Sequence, residues 1–113
     1  FVIFDDAKET YRELGSPDFD QLPDSLTHHN ATLGKIYLID ALDIDIQAEQ
    51  AKITAPTLII HGTDDAVVPY QYAVQASQTI PNAELITVEG GEHGIDERFA
   101  ITAAPAIQKF LKE

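Results

Sequence analysis

Two short stretches of this chain hold side chains that could do chemistry together. In PTLIIHGTDDAVVP (residues 56–69) an apolar run ends in His61 and Gly62, then drops into two adjacent acids, Asp64 and Asp65. In VEGGEHGID (residues 88–96) His93 stands among Gly90, Gly91 and Gly94. A carboxylate that holds an imidazole fixes the ring's tautomer and stabilises its protonated form, which is the base half of a nucleophilic triad. Asp65 and His93 are 93 − 65 = 28 residues apart, the length of a helical crossover plus a strand. Glycines beside His93 let its loop bend sharply.

The elements that must position these groups can be read from the flanking residues. Residues 56–61 are a continuous apolar run bounded by Pro and Gly, which predicts a parallel strand covered on both faces. Residues 69–80 carry Pro69 at a first helical turn and predict a helix. Residues 83–90 alternate and predict a second strand. Residues 101–113 predict an amphipathic helix with Pro105 in its first turn. Two strands joined through a helix form a parallel unit, and such sheets carry function at the carboxyl ends of their strands. Both Asp65 and His93 follow strand ends.

The front half is less regular. Residues 5–14 predict a short helix with Gly15 at its C-cap, and "FVIF" (residues 1–4) predicts the tail of a strand. Residues 16–33, broken by Pro17 and Pro23, predict irregular, lid-like structure. Residues 37–42 predict a helix, and "DIQAEQAKI" another short one. The division expected is a lid segment over 1–50 and an α/β segment over 51–113. Two parallel strands do not make a whole sheet, so the expectation is part of a larger α/β domain.

Composition bounds the partners. The formal net charge is −12, from 19 acidic and 7 basic residues, which argues against nucleic acid and anionic membrane surfaces. There is no cysteine, so disulfides and thiolate metal sites are out. No apolar run approaches the roughly 20 residues of a membrane span, and the acidic N-terminus is no signal peptide; a cytoplasmic location is the default expectation. The plainer roles of single residues are clear as well. Asp65 could simply close a turn through local backbone N–H groups. Asp64 reads as a turn residue and His61 as a packing or backbone-bonding one. His28 and His29 point opposite ways in extended chain and have no third ligand.

"APTLIIHGTDDAVVP" followed by "IPNAELITVEGGEHG" resembles the last two strands of the α/β-hydrolase family. The family's Gly-x-x-Asp-x-x-Val-Pro turn aligns Gly62, Val68 and Pro69 and puts the triad acid at Asp65; its Gly-x-x-His pattern falls on His93. Its chain order places the nucleophile upstream of the acid, yet no Gly-x-Ser-x-Gly occurs: Ser16, Ser25 and Ser77 lack the flanking glycines. "TLGKIYLIDA" (residues 32–41), after a proline-broken acidic segment, resembles the lid insertion of cinnamoyl (feruloyl) esterases. The resemblance implies a fold that is the C-terminal portion of an α/β-hydrolase sheet plus a lid. It implies a serine carboxylic-ester hydrolase, with Asp65 and His93 catalytic and with Asp6 and Tyr37 as substrate-binding candidates in the lid. It also implies no cofactor or metal, a small-molecule ester as substrate, and an N-terminal half of the hydrolase that supplies the nucleophile. An open sheet edge leaves homo-oligomerisation open. A peptidase or thioesterase of the same fold, or a non-catalytic interaction module derived from it, are the alternatives.

Overall fold

The computed structural model describes residues 2–28 and 30–113; Phe1 of the "FVIF" run and His29 of the histidine pair lie outside the described residues. The chain divides into two compact units, Phe1–Asp45 and Ile46–Glu113. The second begins at Ile46 because the short helix there packs with the unit that follows it.

The first unit is built on two helices and a hairpin. Helix α1 (Val2–Glu13) takes in Val2 to Phe4, so the strand tail predicted there is replaced by a first helical turn. The pattern behind it explains why: Phe4, Ala7 and Tyr11 fall three and four apart and share the core with Leu22, Leu38 and Ala41. Gly15 ends α1 with φ +86. Its N–H bonds the Arg12 carbonyl at 2.9 Å and that of Ser16 bonds Tyr11 at 3.0 Å, the two reversed bonds of a Schellman cap. The Tyr11 hydroxyl donates to the Pro17 carbonyl at 2.6 Å, tying down the following loop.

The segment predicted to be irregular is only partly so. After a single 3-10 turn (Phe19–Gln21), strands β1 (Ser25–His28) and β2 (Ala31–Gly34) pair antiparallel, Leu26 opposite Leu33 and His28 opposite Ala31. Asn30 supports the tight connection with φ +64, a conformation Asn tolerates well. Helix α2 (Lys35–Asp43) follows at once, buries Leu38 and Ala41 and packs against α1.

The second unit runs helix, strand, helix, strand, helix. Helix α3 (Ile46–Gln50) leads to β3 (Thr57–Gly62), α4 (Tyr70–Thr79), β4 (Ala83–Val88) and α5 (Glu97–Lys112). Strands β3 and β4 are parallel, in register from Thr57↔Ala83 to Gly62↔Val88. Both α4 and α5 pack on both strands, and Ala73, Ile80, Val88 and Ala103 are buried. Leu58 to Ile60 are nevertheless only half-buried, short of the predicted cover on both faces. The reason is that the ladder has just two strands among the described residues. Helix α5 also starts earlier than predicted. Asp96 caps it, its side chain accepting the Phe99 N–H at 2.8 Å, so Pro105 lies inside the helix. An interior proline removes one helical bond, here the one that would reach the Ile101 carbonyl; both residues are on the exposed side.

Candidate active site

The parallel register determines where the chain can place chemistry. Gly62 and Val88 are partners at the ends of their strands, so the loops carrying Asp65 and His93 leave the sheet side by side. They are then fastened together. Thr63 N–H reaches the Val88 carbonyl at 3.1 Å, and Asp64 N–H the Gly91 carbonyl at 2.9 Å. Gly90 N–H donates to Thr63 Oγ1 at 2.8 Å. From α5, the Arg98 guanidinium donates to the Gly90 carbonyl at 2.7 Å. The approach is close enough that a Cβ on Gly62 would overlap the Gly91 backbone, so only glycine fits there.

Asp65 is 7% exposed at its side chain. Oδ1 accepts the N–H groups of Val67 at 2.9 Å and Val68 at 2.8 Å. Oδ2 lies 3.0 Å from His93 Nδ1. Burial alone would push the Asp65 pKa up. The bonds from Val68, His93 and Val67, with the charge on His93, outweigh it, and the pKa lies below the ordinary 3.8. The group is therefore a carboxylate at neutral pH. A carboxylate only accepts, so His93 Nδ1 carries the proton and Nε2 is left with a free lone pair. The His93 side chain is 54% exposed, and the pair can take up a proton at Nε2 while Asp65 stabilises the resulting imidazolium.

The turn-closing role and the imidazole-holding role of Asp65 are thus both real, one on each oxygen. Asp64 is exposed and accepts from the neighbouring Thr63 hydroxyl at 3.4 Å. Asp6 and Tyr37 belong to the first unit, where both line one cleft of about 490 Å³ with Ile3, Leu26, Leu33 and Leu38. Among the described residues no group of three or more His, Cys, Asp or Glu could hold a metal ion, and no helix is long and apolar enough to cross a membrane. Ser77 lies in α4 with its Oγ donating to the Val74 carbonyl at 2.7 Å.

Sequence reading missed three contributors: Thr63, Arg98 and the nearness of His61 to Asp65. Thr63 was legible, since a hydroxyl beside the acid pair is well placed to fasten a neighbouring loop. Arg98 was not, because its reach depends on α5 beginning at Glu97.

Comparisons with known proteins identify the fold family. A family described as TAP-like protein matches residues 42–113. RutD of Stutzerimonas stutzeri, assigned as a carbamate hydrolase, is 39% identical over 70 residues, 61% of this chain and 26% of its own. The non-heme chloroperoxidase CPO-A1 of Kitasatospora aureofaciens is 44% identical over 64 residues, 55% of this chain and 23% of its own. Among solved structures, Est1E of Butyrivibrio proteoclasticus with ferulic acid bound superposes with a TM-score of 0.68 at 30% identity, over 85% of this chain and 39% of that one. The chain belongs to the α/β-hydrolase family, and its elements are the C-terminal portion of that fold. It spans about a quarter of the curated relatives just named.

Proposed function

We propose that these residues supply the acid and base of a serine carboxylic-ester hydrolase of the cinnamoyl- or feruloyl-esterase kind. His93 Nε2 takes the proton of a nucleophilic hydroxyl as that oxygen attacks the ester carbonyl. The tetrahedral intermediate collapses, the ester C–O bond breaks, and His93 returns the proton to the departing alcohol. Water repeats the sequence on the acyl-enzyme and releases the acid. Asp65 holds His93 in the reactive tautomer throughout. The hydroxyl and the oxyanion donors come from outside these 113 residues. Asp6 and Tyr37 recognise the hydroxylated ring of the acyl part, a carboxylate and a phenol both being able to bond a ring hydroxyl.

The observation that carries this reading is the 3.0 Å contact of His93 Nδ1 with a carboxylate whose other oxygen holds two backbone N–H groups. The ester class is supported by the likeness to Est1E, a structure solved with ferulic acid bound. The second unit is 113 − 45 = 68 residues, and a superposition on Est1E over 85% of the chain reaches into the first unit as well.

The test is turnover of p-nitrophenyl acetate and methyl ferulate by the intact protein carrying these residues, beside a carbamate, an amide and a thioester. Hydrolysis of both esters, abolished by His93→Ala, is the expected result. Ester turnover that survives His93→Ala overturns the assignment of the base. A preference for the amide or thioester moves the protein to the peptidase or thioesterase reading.

A further inference from the structure

His61 stands on β3 four residues before Asp65, with its side chain 17% exposed. Its ring tilts against Tyr70, centroids 6.1 Å apart, and the Tyr70 hydroxyl shares a hydrogen bond with Thr87 Oγ1 on β4 at 2.6 Å. His61 Nε2 lies 2.8 Å from the Val68 carbonyl and 3.3 Å from Asp65 Oδ2. A carbonyl can only accept, so His61 Nε2 carries the proton and donates it. This rules the ring out as a second base through that nitrogen.

Val68 is gripped at both ends. Its N–H is held by Asp65 Oδ1 at 2.8 Å, its carbonyl by His61. The turn from residue 65 to 68 is therefore closed by the acid on one side and pinned to β3 on the other. With Oδ1 fixed by two N–H groups, the carboxylate has one orientation left, and that orientation aims Oδ2 at His93. The titratable groups around the ring are Asp65 from the turn, Tyr70 from α4, and His93 beyond Asp65.

We infer that His61 is a positioning residue for the Asp65–His93 pair: its Nε2–H, on the Val68 carbonyl and beside Asp65 Oδ2, keeps the carboxylate trained on His93. The inference rests on the proposed role of that pair as the base of a hydrolase. His61 touches no reacting atom; it acts through the turn.

Two substitutions in the intact protein test it. His61→Phe keeps a flat ring against Tyr70 but has no N–H. His61→Gln restores an N–H donor at nearly the same reach. The phenylalanine variant is expected to lose about tenfold in kcat with KM within about twofold, since small misplacements of catalytic groups cost up to about a hundredfold. The glutamine variant recovers most of the lost kcat. A phenylalanine variant with unchanged kcat overturns the inference. So does a glutamine variant as impaired as the phenylalanine one. Should the phenylalanine variant not fold, the His61 tautomer read by nitrogen-15 NMR in the unaltered protein decides: Nε2–H supports the inference, Nδ1–H sinks it. His93→Ala separates this from the underlying reading. If that variant stays active the hydrolase assignment falls; if it is dead while His61→Phe is normal, only the role of His61 falls.

Discussion

Replacing Asp65 by Asn changes one atom of the site and reverses a proton. The asparagine has two ways to sit. In one, its carbonyl oxygen keeps the Val67 and Val68 N–H groups, at 2.9 and 2.8 Å, and its NH₂ takes the place of Oδ2 opposite His93. In the other, the NH₂ faces those two backbone donors and both bonds are lost, at about 1 kcal/mol each. The first wins by roughly 2 kcal/mol on that count. There the NH₂ donates to His93 Nδ1, so the imidazole proton moves to Nε2, the nitrogen that should act as base. The wrong tautomer lowers kcat by about 10⁴ in the serine-protease example of the same constellation. The fold loses little, about 1 kcal/mol, because Oδ1 keeps its partners. Asp65→Ala strips the turn of both anchors and is expected to cost about 3 kcal/mol, hydrogen bonds to a charged acceptor being the stronger kind. The assay is ester turnover by the intact protein together with urea unfolding of both variants. An asparagine variant within about tenfold of the unaltered kcat would refute the tautomer argument. One as unstable as the alanine variant would refute the claim that the two backbone bonds dominate.

The remaining predictions concern stability. Asp65 has a folded pKa below 3.8, so the folded state binds fewer protons than the unfolded chain on acidification. Its contribution is fully present above about pH 4 and is lost as pH falls through the folded value. Urea midpoints for Asp65→Asn should therefore fall less steeply below about pH 4 than those of the unaltered protein, and parallel curves would contradict this. Gly62→Ala places a Cβ into the Gly91 backbone and is expected to cost about 3 kcal/mol while pushing the His93 loop outward; an unchanged unfolding midpoint would show the loops are not so closely joined. Asp96→Ala removes the cap on the Phe99 N–H and should cost about 1 kcal/mol, read as a lower melting temperature.

The parts of this fold that were legible in the sequence are those where one physical signal had no rival. The run from Thr57 to Ile60, fenced by Pro56 and Gly62, could hardly be anything but a strand, and Pro69 marked the start of α4. The separation of Asp65 from His93 needed only the length of a crossover. Misreadings arose where two signals competed. "FVIF" has strand-forming residues, but Phe4 also begins the helical spacing that Ala7 and Tyr11 continue into the core. The hairpin was hidden because its strands are four residues each, and prolines at 17 and 23 suggested irregular structure before Asn30 could suggest a turn. Pro105 drew the start of α5 toward itself, although Asp96 carried the capping signal. At the site, His61 bonds backbone as its place at a strand end suggested, but its nearness to Asp65 was illegible. It depends on the turn folding the Val68 carbonyl back toward His61, a geometry no local spacing rule encodes.

The in-register pairing of β3 with β4 separates what can drift from what cannot. Asp65 and His93 take their bearings from rungs of a ladder, while the helix between the strands returns the chain to the starting side and lays Tyr70 against His61. A change on the exposed side of that helix leaves the rungs where they are, and the carboxylate and imidazole would still meet. A single residue inserted within either strand is another matter. It would turn the next side chains to the opposite face of the sheet and part the couple at one stroke.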